Sequence, residues 1–197
     1  MVQREARLAF GLLLLAIVVR FVGLGLESFW FDEIWAVKQS RLPLIEVLRD
    51  LRESDVHPPL WPLLLHVWIG WFGEAEWAVR LPSALFGVLA VPGLVLMLRR
   101  WSPRGADSWP WRAGLLLALW PYAVEYSQEA RAYALLLALS TWSLWAVLRF
   151  VDKPDSHGRL ALWAGLASLL LYTHVFGGLL ALAQGLFVLV HYPGLRA

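Results

Sequence analysis

Two adjacent carboxylates, Asp32 and Glu33, are the residues of this sequence best suited to chemistry. They follow an apolar stretch and stand beside Trp30, Phe31 and Trp35, where we expect a boundary between lipid and water. Placing carboxylates at an apolar interface costs free energy, so their presence there indicates a function. One interpretation is that one of them acts as general base on an acceptor hydroxyl while its neighbour tunes it or orients the acceptor. The other is that both stabilise the first turn of a helix that begins near Phe31, where acidic residues are favoured.

A second charged group, Glu129 and Arg131, lies almost a hundred positions later between two apolar runs. The planar guanidinium of Arg131 suits a phosphate, which it can contact with two N–H groups at once. A charged cluster at the end of a short helix often lines a polar cavity. The alternative is a solvated ion pair of little energetic value.

Two histidines extend these possibilities. His57 precedes a pair of prolines, whose stiff turn would hold its ring near the site as a phosphate or metal contact; otherwise it is a surface residue at a turn. His174 interrupts an apolar run, either as a hydrogen-bonded packing residue or, beside Asp32 and Glu129, as a ligand of a divalent cation such as Mg, Mn or Zn. The sequence has no cysteine, so a metal site would use carboxylate and imidazole ligands.

Two further arginines lie in or next to apolar runs. Arg20, in the outer third of the first run, either extends its side chain to the lipid headgroups or faces a lipid phosphate. Arg80 opens the segment Arg80-Leu81-Pro82-Ser83, which is mostly architectural, with Pro82 in the tolerated first turn of a helix. The alternative for Arg80 is a position facing the external cavity.

The composition indicates what must position these residues. The chain has 197 residues, 59% of them hydrophobic, with 13 Trp and a mean hydropathy of +0.60, which is too apolar for an ordinary soluble domain. It predicts an all-α polytopic membrane protein. The net charge of +2 does not indicate nucleic-acid binding, because the basic residues flank hydrophobic segments as topology determinants do.

Apolar runs predict about six transmembrane helices, since crossing the bilayer takes about 20 residues. The last run contains two short spans that we expect to meet near Phe176-Gly177-Gly178. The predicted spans lie within Leu8–Leu26, Ala78–Leu98, Ala113–Val124, Ala132–Phe150 and, for the last two, Leu160–Val190.

The apolar segment 58–72 is short for a span and decides the topology. If it lies in the interface, most Lys and Arg residues fall on the cytoplasmic side, whereas a crossing would put most of them outside. We therefore expect a large external loop, residues 27–77, that contains interfacial helices, including an amphipathic one around Leu44 to Leu51. A second external loop, about residues 125–131, then lies at the same membrane face.

Taken in order, these motifs resemble those of the N-terminal module of the GT-C glycosyltransferases, specifically the family 39-like relatives of protein O-mannosyltransferases and aminoarabinose transferases. The resemblance covers essentially the whole chain. It rests on Arg20, Phe31-Asp32-Glu33, His57-Pro58-Pro59-Leu60, Arg80-Leu81-Pro82-Ser83, Tyr126-Ser127-Gln128-Glu129-Ala130-Arg131-Ala132-Tyr133 and Tyr172-Thr173-His174.

The resemblance implies an inverting enzyme of the cytoplasmic (inner) membrane. It would transfer a sugar from a polyprenyl-phosphate donor to a glycan, lipid or protein acceptor, with its active site facing outside. Some relatives use a divalent metal and others do not. The implied roles are Asp32 as base with Glu33 beside it, Arg131 with Arg20 or His57 at the phosphate, Glu129 in support, and Arg80 and Tyr133 in the substrate site.

Members of that group usually continue for several more spans and often an external C-terminal domain. We therefore expect the 197 residues to correspond to one module, 1–197, whose activity depends on further spans or a second chain. The alternatives are a non-catalytic subunit that binds lipid-linked sugar or supports assembly, and a small transporter. A transporter is typically built from repeated halves; the charges here gather at one face, which favours an interfacial site.

Overall fold

The computed structural model describes residues 2–53, 58–101 and 108–191. These residues fold into helices without a strand among them, so the predicted all-α membrane fold is confirmed. The helices are α1 (Val2–Phe21), α2 (Phe31–Arg41), α3 (Leu44–Glu53), α4 (Leu60–Phe72), α5 (Glu76–Trp101), α6 (Trp109–Leu119), α7 (Pro121–Glu125), α8 (Tyr133–Val151), α9 (His157–Leu171) and α10 (Val175–His191).

Two helices in the described part of the chain, α5 and α8, are long and apolar enough to cross a membrane, with 26 and 19 residues. The other predicted spans correspond in position to α1, to α6 with α7, and to α9 and α10, and their crossing stays a prediction. The outward faces of several of these helices carry large apolar side chains, such as Phe10, Leu116 and Leu182. Such faces fit a lipid environment, because a water-exposed surface rarely carries so many.

Helix α5 is the central element and packs against α1, α6 and α8. The contacts use small side chains: Ala16, Ala90, Ala118 and Ala138 are all buried. At Gly93 even a Cβ would collide with Thr141 of α8. Small residues let helix backbones approach closely in a membrane, where dispersion contacts replace the hydrophobic effect as the main attraction.

Helices α2, α3 and α4 form a layer at one end of the bundle. The predicted amphipathic helix is present as α3, with Val47 fully buried and Ile45 66% exposed. The predicted helix after the proline pair is present as α4, and its first amide, of Leu60, donates to the carbonyl oxygen of Tyr172 at 2.8 Å. This bond joins the layer to the turn between α9 and α10.

The break between the last two helices lies at residues 172–174, where the sequence showed polar residues interrupting the apolar run, and earlier than the predicted meeting point near Phe176-Gly177-Gly178. Gly177 is inside α10, where a Cβ would collide with the carbonyl oxygen of Leu170. The glycine therefore serves the close approach of two helices, and polar residues provide the turn.

The predicted position of Pro82 in a first turn was also wrong. Because α5 begins at Glu76, Pro82 lies in its second turn. Proline has no N–H, so the carbonyl oxygen of Ala78, four residues earlier, has no helical partner. The indole Nε1–H of Trp68 in α4 donates to that oxygen at 2.8 Å. A contact between α4 and α5 thus compensates for the proline.

Helix α1 ends at Phe21, before the predicted end at Leu26, and Gly23 with a φ of +83° turns the chain there. The side-chain amide of Gln128 caps this end. It donates to the carbonyl oxygens of Val19, Arg20 and Val22 at 3.3, 3.3 and 2.9 Å. The last carbonyls of a helix lack intrahelical partners, so this contact fixes the segment after α7 against the end of α1.

Candidate functional site

The two charged groups singled out in the sequence meet in the structure. Asp32 lies in the first turn of α2, and its Oδ2 is 3.0 Å from Nη1 of Arg131, which lies between α7 and α8. The side chains are 33% and 17% exposed, so the ion pair is neither sealed in the core nor fully solvated. Both charges are therefore partly accessible from outside the protein.

Glu33, the neighbour of Asp32, has a different environment. Its side chain is fully buried and accepts hydrogen bonds from Nε and Nη2 of Arg80 at 2.8 and 2.7 Å. The backbone N–H of Ala130 donates to it at 2.8 Å and that of Trp30 at 3.3 Å. This two-point pairing is the strong geometry for a carboxylate and a guanidinium. Glu33 is therefore fully occupied by the protein.

Arg80 uses its remaining donors on the connection between α1 and α2. It donates to the carbonyl oxygens of Leu24, Glu27 and Ser28 at 3.2, 2.8 and 3.2 Å. Only 5% of this residue is exposed. Arg80 with Glu33 thus ties four parts of the chain together: α2, α5, the α1–α2 connection and the segment that carries Arg131.

The contrast between Asp32 and Glu33 follows from helix geometry. Neighbouring side chains on an α-helix point about 100° apart, since a turn takes about 3.6 residues. When Glu33 of α2 points into the protein, Asp32 must point along its edge. The buried residue then fixes the direction of the exposed one.

A small cavity of about 50 Å³ adjoins Arg131. The guanidinium carbon of Arg131 lies 5.6 Å from the ring centroid of Tyr133, whose ring is 5.7 Å from that of His174. The cavity is smaller than a site that encloses an organic ligand, so it has room for only a small part of such a molecule. Further lining residues are Trp35, Ala36, Gln39, Pro58, Trp61, Pro62, Ala132 and Thr173.

Glu129 is half-buried beside this group. Burial raises the pKa of its carboxyl above the ordinary value, and the negative charges of Glu33 and Glu125 raise it further, while Arg131 opposes them. Glu129 therefore holds its proton to a higher pH than a free glutamate does.

Arg20 is enclosed by protein. Its guanidinium is fully buried and donates to Ser127 Oγ at 3.2 Å. It also donates to the carbonyl oxygens of Ala118, Leu117 and Ala16 at 3.0, 3.3 and 3.4 Å. In this arrangement its donors serve the packing of α1 against α6 rather than lipid headgroups or a ligand.

His57 lies outside the described residues. His174 contacts the rings of Tyr133 and Phe176, and its Nδ1 accepts the N–H of Phe176 at 3.2 Å. Across the described ranges no three His, Asp or Glu side chains come together as a metal site. Asp32, Glu129 and His174 are thus not gathered into such a group.

Trp35, which the sequence analysis placed beside the carboxylates, and Trp61, which it missed, are neighbours of this site. Both line the cavity, and the Nε1–H of Trp61 donates to the carbonyl oxygen of Ala130 at 3.2 Å. A tryptophan that is buried needs an acceptor for its N–H. With 13 tryptophans in the chain, that signal alone did not distinguish Trp61.

A family model described as Dolichyl-phosphate-mannose-protein mannosyltransferase matches residues 56–196, well over half of the chain. The matched region includes Arg80, Glu129, Arg131 and His174 and begins after Asp32. Comparison with curated proteins and with solved structures gave no match.

Proposed function

The chain belongs to this mannosyltransferase family, within the GT-C membrane glycosyltransferases, and from that premise we propose that it transfers a sugar from a polyprenyl-phosphate donor to an acceptor hydroxyl. The observation that carries the proposal is the partly exposed Asp32–Arg131 ion pair beside a cavity lined by aromatic rings. It provides a base and a phosphate-binding cation at one place.

Asp32 is the general base in this proposal. As the acceptor oxygen forms a bond to the anomeric carbon, its proton passes to the Asp32 carboxylate. The bond between that carbon and the phosphate oxygen breaks, and its electron pair leaves with the polyprenyl phosphate. One displacement of this kind inverts the configuration of the sugar.

Arg131 stabilises the phosphate that leaves. A guanidinium carries five N–H donors, and Asp32 contacts Arg131 through one of its nitrogens, Nη1. The other donors can hold phosphate oxygens, where negative charge develops in the transition state. One side chain would then set both the position of the base and that of the leaving group.

The surrounding residues have positioning roles. Glu33, which the sequence suggested as a partner in catalysis, acts with Arg80 to hold α2 so that Asp32 faces the substrate. Glu129 supports the site, and the ring of Tyr133 supports Arg131 and the sugar. Arg20 fixes the helices beneath the site.

We propose that this end of the bundle faces outside. The opposite end carries Arg4, Arg7, Arg99, Arg100 and Arg112, and basic residues next to spans favour the cytoplasmic side. A donor lipid that lies in the outer leaflet would present its phosphate at the depth of Arg131.

The test is transfer from a radiolabelled polyprenyl-phosphate-mannose to a mixture of candidate acceptors, with the purified chain in lipid nanodiscs. Asp32→Asn should lower turnover by about 100-fold or more and leave donor binding near the wild-type value. Glu46→Gln, which removes an exposed carboxylate of α3, is the matched control and should keep full turnover.

Donor binding without turnover in the wild-type chain would support a binding subunit instead. Undiminished turnover in Asp32→Asn would remove the assigned base.

Arg131→Lys keeps the positive charge but loses the proposed two-point contact of the guanidinium with the donor phosphate. It should therefore weaken donor binding as well as turnover.

A further inference from the structure

A groove lies between α1 and α6 at the end of the bundle opposite the proposed active site. Its volume is about 560 Å³, within the range of cavities that hold organic ligands. Three arginines, Arg4, Arg7 and Arg112, line it together with apolar side chains. The apolar lining residues are Leu8, Leu12, Leu15, Trp111 and Leu115.

The charge of the groove is positive. The acidic side chain in its lining is Glu5, and Arg99 pairs with both oxygens of Glu5 at 2.9 and 3.0 Å. Within the described stretches none of the three arginines of the groove makes an ion pair. Three cationic groups therefore face a space next to an apolar wall, and no carboxylate among the described residues forms an ion pair with them.

We propose that this groove binds an anionic phospholipid. The phosphate would lie against Arg4, Arg7 and Arg112, and an acyl chain would run along the leucines of α1 and α6. The charge of the arginines selects an anion, and basic pockets between membrane helices are a known kind of lipid-headgroup site. A free phosphate would leave the apolar wall exposed to water, which favours the lipid.

Gly11 supplies the room for the acyl chain. It lies in the groove, and a Cβ added there would meet no atom within 4 Å. A leucine at this position would fill part of the groove without changing its charge. Gly165 of α9 has the same open surroundings and lies elsewhere, so it offers a control of matched size.

Binding is measured by native mass spectrometry of the purified chain, delipidated in detergent and titrated with phosphatidylglycerol or phosphatidylcholine. The wild type should bind phosphatidylglycerol more tightly than phosphatidylcholine. Arg112→Gln should weaken phosphatidylglycerol binding about fivefold, and Arg4→Gln with Arg7→Gln by more than tenfold. The double variant Arg49→Gln with Arg52→Gln, which changes two exposed arginines of α3, should bind like the wild type.

Gly11→Leu should reduce binding of phosphatidylglycerol, whereas Gly165→Leu should not. Equal binding by the arginine variants and the wild type would overturn the proposal, as would a Gly11→Leu chain that binds normally. Inorganic phosphate forms the remaining arm: if millimolar phosphate displaces the lipid completely, the groove is a site for free anions and the lipid assignment is wrong. These readouts are independent of the proposed transferase activity.

Discussion

The two ends of the helix bundle use the same residue types in opposite ways. At the site end Glu33 and Arg80 are 0% and 6% exposed and join distant segments. At the other end Glu5 and Arg99 are 37% and 40% exposed, and Arg100 pairs with Asp152 on the surface. An ion pair between a carboxylate and an arginine therefore makes no fixed contribution to stability. Its burial decides whether the pair organises the fold or contributes little to it.

The same contrast exists within one turn of α2. Glu33 makes its hydrogen bonds to other groups of the protein, whereas Asp32 makes its ion pair at a partly exposed edge of α2. The buried pair holds the accessible one in place. Because Glu33 is expected to act on structure and Asp32 on chemistry, variants can separate the two roles.

The largest effect on stability is expected for Glu33→Gln. It leaves the Arg80 cation buried without its counter-charge, and breaking a buried pair costs about 3–5 kcal/mol. Thermal unfolding in detergent, followed by circular dichroism, should show a large fall in the midpoint. Glu5→Gln is the matched control at the other end, where an exposed pair contributes about 0–1 kcal/mol. Equal shifts for the two variants would remove the distinction between the ends.

A smaller loss of stability is expected for Trp68→Phe. The change keeps an aromatic ring against Phe72 but removes the N–H that satisfies the carbonyl oxygen of Ala78 beneath Pro82. An unsatisfied buried acceptor costs about 1–3 kcal/mol. Trp71→Phe, at a position that is 77% exposed, should leave the midpoint of thermal unfolding unchanged. An effect of Trp71→Phe as large as that of Trp68→Phe would show that ring size matters more than the hydrogen bond.

The smallest effect on stability is expected for Glu129, and it depends on pH. Because the pKa of Glu129 is raised from 4.5 by burial, folding takes up a proton between 4.5 and the raised value. The free energy of unfolding contributed by this group therefore falls as pH rises through that window. Glu129→Gln should match the wild type below pH 4 and unfold at a higher temperature than the wild type at pH 7. A variant that is less stable than the wild type at pH 7 would contradict this assignment.

Much of the architecture could be predicted from the sequence because it depends on local patterns. Apolar runs gave the helices, the 3.6-residue spacing of Leu44, Val47, Leu48 and Leu51 gave α3, and the proline pair marked the start of α4. The meeting of residues 32 and 131 depended on an argument about which loops share a membrane face. That argument predicted that the two loops lie together, but it did not predict the ion pair between Asp32 and Arg131.

The remaining features depend on tertiary contacts that a linear pattern does not contain. Asp32 and Glu33 are adjacent and chemically alike, so only the packing of α2 reveals which one is buried. Gly177 reads as a turn residue in sequence, yet it allows close approach between α10 and Leu170. Arg20 reads as a lipid-facing cation because the carbonyl oxygens that surround it belong to another helix.

The most direct test of the account is a double-variant cycle on turnover of the labelled donor, with Asp32→Asn, Arg131→Gln and both together. If the two side chains act as one unit on the same transition state, each single change lowers turnover by about 100-fold or more. The turnover of the double variant is then less than tenfold below that of the slower single variant. Losses that multiply in the double variant would show that the two residues act separately. Full turnover with Asp32→Asn would contradict the central claim that Asp32 is the base.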